Sequence, residues 1–91
     1  MKLNICGRKY TVKHKDIEDN LGLCDSNNAM IMLNTNIEQI TTHTSDMVLL
    51  HEVLHAIMYE TGLTHTVRPQ IEEALVHGIA LGLYGAGYRL Q

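Results

Sequence analysis

Apolar residues alternate with polar ones over the first third of the chain and recur at helical spacing over the rest. Leu3 and Ile5, then Tyr10 and Val12, alternate on either side of Gly7-Arg8, which predicts a β-hairpin. Leu21 and Leu23, then the run Ala29-Met-Ile-Met-Leu33, flank the turn-forming stretch Asp25-Ser-Asn-Asn28 and predict a second. The first third therefore reads as a small antiparallel sheet of three or four strands.

After Asn36 the period changes. From Asp46 to Thr61 the apolar positions follow a helical repeat, with Thr44 or Ser45 as N-cap, Asp46 in the first turn and Gly62 just past the end. This helix is apolar nearly all round, so it should be covered on most sides and its polar residues stand out. Pro69 fits the first turn of a second helix, where Glu72 and Glu73 meet the positive end of the dipole, and the pattern runs on to about Tyr84–Tyr88. Ala74, Gly78 and Gly82 recur at i, i+4 and predict close packing against the first helix, since glycine inside a helix is otherwise costly. Residues 37–43 and His65-Thr-Val-Arg68 read as connectors. The expected fold is α+β: hairpins forming a small antiparallel sheet on two helices, in one domain spanning residues 1–91.

Composition narrows this picture. Ninety-one residues cannot support two cores, and the 45% hydrophobic content is that of an ordinary folded globule. Four Tyr with no Phe or Trp leave the core short of large rings, so a bound metal would add needed stability. Cys6 and Cys24 are too few for a cystine scaffold and read as reduced thiols. The opening MKLNICGRKYTVKHK lacks an apolar h-region, and the charge-free stretch Ala74–Tyr88 is too short and glycine-rich to span a bilayer. The expectation is a cytoplasmic protein without a membrane anchor. Net charge is −3, yet Lys2, Arg8, Lys9, Lys13 and Lys15 all precede the first acidic residue. With only Tyr10 interleaved, this basic stretch reads as a solvated strand face and not as a nucleic-acid footprint.

The chemistry sits in His51-Glu52-Val53-Leu54-His55, midway along the first helix. Two imidazoles four residues apart share one helix face and can reach a single Zn²⁺. Glu52 can take a proton from water that the metal activates without itself being a ligand. A catalytic zinc needs a third protein ligand. A metzincin-type extension would need Gly and His where the chain has Met58 and Thr61, and His65 lies beyond Gly62 on a connector. The second helix is the better source. At about 100° per residue Glu73, His77, Ala80 and Tyr84 form one stripe, while Glu72 shares another with Val76, Ile79 and Leu83. The polar stripe makes Glu73 the third ligand, with Glu72 as the alternative and His77 as support for a ligating His or as a substrate contact. Among Tyr59, Tyr84 and Tyr88, Tyr84 is the preferred oxyanion stabiliser. Met30 and Met32 read as core filling.

His51-Glu-Val-Leu-His55 followed by Glu72-Glu-Ala-Leu-Val-His77 resembles the gluzincin pattern, with Glu73 and His77 at the places of the ligand Glu and of the residue that holds a ligand His. His77 replaces the acid or amide more usual there. More narrowly, Leu49 to Ile57, Glu60-Thr-Gly-Leu63 and Ile71-Glu-Glu through Gly82-Leu-Tyr84 resemble small phage- and prophage-encoded zinc metallopeptidases, distant kin of the ImmA/IrrE regulatory peptidases. The resemblance covers about half the chain. It implies a minimal zincin that cleaves a peptide or protein substrate, one with a flexible or partly unfolded segment, in the host cytoplasm if phage-encoded. It also implies that the strand before the motif helix, Ala29 to Asn34, binds extended substrate by edge pairing. The competing reading is a non-catalytic binding or regulatory module in which zinc braces the helices, with His77 or His65 closing the coordination.

Overall fold

A computed structural model describes residues 1–37 and 44–90. Four strands come first, β1 (Lys2–Ile5), β2 (Arg8–Lys15), β3 (Gly22–Asp25) and β4 (Met30–Asn34). Two helices follow, α1 (Ser45–Glu60) and α2 (Pro69–Gly85), joined through a 3₁₀ turn at Leu63–His65. The connector expected over residues 37–43 lies, beyond Ile37, outside the described residues.

Both hairpins form. The first turn is one residue earlier than the pattern suggested: Cys6 and Gly7 both have positive φ, as a two-residue turn matching strand twist requires, and Ile5 pairs with Arg8. In the second, Asp25 pairs with Met30 across a loop that Asp25 closes by accepting from the Asn28 amide.

The sheet is not wholly antiparallel. Its order is β1-β2-β4-β3, and β2 runs parallel to β4, Val12 opposite Ile31 and His14 opposite Leu33. The two hairpins meet through this parallel pair, which makes the sheet mixed. The physical reason lies in β4, an unbroken apolar run whose Ile31 and Leu33 are fully buried; the centre of the sheet is where such a strand loses most contact with water. Ala29–Asn34 is consequently an interior strand paired on both sides; the edge strands are β1 and β3, and β3 is the one that borders the cleft beside α1.

Thr44 caps α1 by accepting from the Met47 amide, and Gly62 follows with φ +82°. One side of α1 packs Val48, Leu49, Val53 and Ala56 onto Ile5, Tyr10, Val12, Ile31 and Leu33. The other side receives α2, so α1 is the middle layer. Only Val76 and Ala80 of α2 are buried. The small-residue stripe does not face α1: a Cβ added at Gly78 or Gly82 would meet nothing within 4 Å, and Ala74 is exposed. Glu72, Val76 and Ala80 occupy the seam instead, because two carboxylates drawn to the histidines set the rotation of α2. Its outward face leaves Ile71, Leu75, Ile79 and Leu81 exposed.

Arg8 and Tyr10 fasten the sheet to the end of α1. Both donate to Glu60 Oε2, at 2.9 and 2.6 Å, and Arg8 also donates to the carbonyls of Ser26 and Asn27. Burial, with the Glu60 hydrogen bond adding to it, pushes the Tyr10 hydroxyl up to about 12. Arg8 thus leaves the basic stretch, while Lys9, Lys13 and Lys15 stay solvated. Among the described residues no helix is long and apolar enough to cross a membrane.

Candidate metal centre

His51 and His55 project from successive turns of α1, their ring centroids 4.9 Å apart, towards the first turn of α2. Glu73 bridges them. Its Oε1 lies 3.0 Å from His51 Nε2 and its Oε2 3.1 Å from His55 Nε2. Candidate ligand atoms of the three residues all fall within 4.8 Å of one another. Tetrahedral bonds of roughly 2.0–2.1 Å place ligand atoms about 3.3 Å apart, so the donor set fits zinc in type and spacing.

Glu72 lies outside this cluster, behind the second histidine. Its Oε2 lies 2.7 Å from His55 Nδ1 and its side chain is 13% exposed. A carboxylate held there fixes the ring so that Nε2 is directed toward Glu73. Glu72, and not His77, is the residue that contacts the second ring nitrogen of His55. The His77 ring lies 6.2 Å from that of His51 and lines the same cleft.

The protonation states suit a cation. Desolvation lowers the His51 pKa, outweighing the Glu73 hydrogen bond, and favours the neutral imidazole. Partial desolvation pushes Glu73 up, but the neighbouring His55 and His51 outweigh it and hold its carboxyl below the ordinary value. Neutral imidazole and ionised carboxylate are the forms that ligate.

Glu52 points from the same stretch of helix toward β3. It is 8% exposed, and desolvation raises its pKa from 4.5 to about 7, with Glu73 adding to the rise and His55 opposing it. A carboxyl poised there exchanges protons with water near neutrality.

These groups line an open cleft of about 580 Å³ bounded by β3, α1 and the start of α2. Leu21 to Cys24 form one wall, where Cys24 is a free thiol raised by burial; Met47 and Val48 lie at one point of the lining, Tyr59 and Thr64 at others. Tyr84 is not part of the lining. Its hydroxyl accepts from Thr44 Oγ1 at 2.9 Å and the Arg89 guanidinium lies 3.7 Å over its ring, which places it at the N-cap of α1. Tyr88 is exposed, and Tyr59 lines the cleft while donating to Asn27. His65 is exposed beside Tyr59, outside the cluster of His51, His55 and Glu73.

Sequence reasoning missed Gly22, Cys24 and the edge position of β3. Strand order carries that information, and no local pattern reveals it.

A scan of family models finds no match to the chain, and neither curated proteins nor solved structures yield one.

Proposed function

We propose that this chain is a zinc-dependent hydrolase, a metallopeptidase of the gluzincin type, with His51, His55 and Glu73 holding the ion and Glu52 as general base. The observation that carries this reading is the convergence of two imidazoles and one carboxylate from different helices, with an almost dry carboxyl on the same cleft. Nothing in the local helical repeat requires that meeting.

Zinc bound by these ligands supplies Lewis acidity toward a carbonyl oxygen and acidifies water. Glu52 accepts the proton of the attacking water and delivers it to the departing amine nitrogen, so the carboxyl ends the cycle as it began. Glu72 keeps His55 oriented throughout. The free edge of β3 offers backbone groups to an extended substrate strand, the part first expected of Ala29–Asn34. Four residues of edge beside an open cleft favour a flexible segment of a peptide or protein. The resemblance to phage-encoded peptidases agrees with such a small module.

Three metal-capable residues cluster among those described, and neither His77 nor His65 joins them. Three protein ligands with an open fourth position is the donor set of a catalytic zinc. The second reading, a zinc-braced regulatory module, is supported by the way Glu72 and Glu73 already tie the helices together.

The test is zinc stoichiometry followed by a peptide-cleavage assay on wild type and Glu52→Gln. One equivalent of zinc in both proteins with cleavage only in the wild type is the expected result. Zinc without cleavage in either leaves the bracing module, and no zinc removes both readings.

A further inference from the structure

Gly22 opens the edge strand and pairs with Leu33 of β4. Its φ is not positive, so no turn or left-handed conformation calls for glycine there. Glycine weakens a strand and marks places where something approaches closely. At six of the seven glycines an added Cβ meets nothing within 4 Å; Gly22 is the exception. A Cβ there would lie 2.8 Å from Val48 Cγ1, 2.9 Å from Glu52 Cγ and 3.0 Å from Glu52 Oε2.

We infer that Gly22 is a positioning residue for Glu52: the missing side chain on β3 makes the slot in which the Glu52 carboxyl is held beside the histidines. This rests on the hydrolase reading above. Val48 and Glu52 stand one turn apart on α1 and press on the same point of the strand. Val48, β-branched within a helix, is confined essentially to one χ1 rotamer and cannot swing aside. A methyl at position 22 is therefore relieved by rotating Glu52, whose Cγ and carboxyl are the movable atoms, or by lifting β3 from the helix. Either change shifts the carboxyl relative to the ligand cluster. None of the three atoms nearest position 22 belongs to His51, His55 or Glu73.

The experiment compares wild type, Gly22→Ala, Val48→Ala and the double variant as full-length, zinc-loaded proteins, reading zinc content and the kcat and KM for a quenched-fluorescence peptide mixture. Gly22→Ala should keep its equivalent of zinc and lose roughly 10–100-fold in kcat with KM changed less than about twofold, as expected when a reacting group is misplaced by about 1 Å. The double variant, with the rigid Cγ1 gone, should recover activity relative to Val48→Ala. Unchanged kcat in zinc-loaded Gly22→Ala, or a loss that follows zinc content, overturns the assignment, as does absence of rescue. If the wild type proves inactive, the hydrolase reading fails first. The crystal structure of Gly22→Ala then decides the slot: a Glu52 carboxyl in its wild-type position beside an undisplaced strand refutes it.

Discussion

Replacing Glu52 by Gln should stabilise the zinc-free protein, increasingly so as pH rises. Burial lifts the Glu52 pKa from 4.5 to about 7, so between those values the folded state binds a proton that the unfolded chain has released. Stability then falls with rising pH, because the unfolded state binds fewer protons than the native one. The cost is absent below about pH 4.5 and complete above about pH 7, where it reaches about 3 kcal/mol at roughly 1.4 kcal/mol per unit. With 8% of the residue exposed, solvent screening takes little from that figure. Glutamine cannot ionise. Its own desolvation is independent of pH and cancels when the two proteins are compared at two pH values. Urea unfolding followed by circular dichroism, on chelator-treated protein at pH 4 and pH 8.5, measures the quantity directly. The Gln variant should gain about 3 kcal/mol over wild type in moving from the lower to the higher pH. A gain that is flat across that interval, or larger in acid, refutes a buried and strained carboxyl at this position.

Four further outcomes follow from the geometry. Glu72→Gln, which weakens the hold on His55 Nδ1, should reduce zinc affinity roughly 10–100-fold in a folded protein, measured by competition with a chromophoric chelator. Zinc at about a hundredfold excess over its Kd should stabilise the wild type by about 2.7 kcal/mol, seen in a melting curve, and do so far less for His51→Ala or His55→Ala. Gly78→Ala and Gly82→Ala should each stabilise the protein by about 0.5–1 kcal/mol, since an added methyl meets no neighbour and helix propensity alone decides; destabilisation by either, in denaturant titration, would show a packed surface there. Tyr84→Phe should leave kcat within about twofold of wild type, because its hydroxyl serves the N-cap threonine and not the cleft.

Much of the molecule was legible in local patterns. The hairpins, the capped motif helix and the second helix opening at Pro69 each follow from period, turn residues or capping chemistry acting over a few positions. The meeting of His51, His55 and Glu73 was legible too, since His51 and His55 share a helix face by spacing alone and Glu73 lies on a polar stripe one helix later. Where the helical wheel misled was in assigning faces to α2. It turned the glycines inward, whereas they face out; its separate stripes for Glu72 and Glu73 do hold, one carboxylate bracing a histidine from behind and the other bridging both from the front. Tyr84 shared the stripe of Glu73 yet sits about three turns farther along, beside Thr44, because angle on a wheel carries no information about height.

What the sequence by itself determined, then, is everything set by interactions within a turn or a hairpin: the elements, their ends, and a paired-imidazole motif on a buried rod. Tertiary structure alone decided the parallel joining of β2 to β4, which puts the most apolar strand inside and leaves β3 as the free edge beside the motif. It also decided the close approach of Gly22 to Glu52 and the division of labour between two adjacent glutamates. Those features depend on which surfaces meet across tens of residues, and burial of the best-matched apolar faces, being non-directional and summed over the whole core, leaves no trace in any short window of the chain.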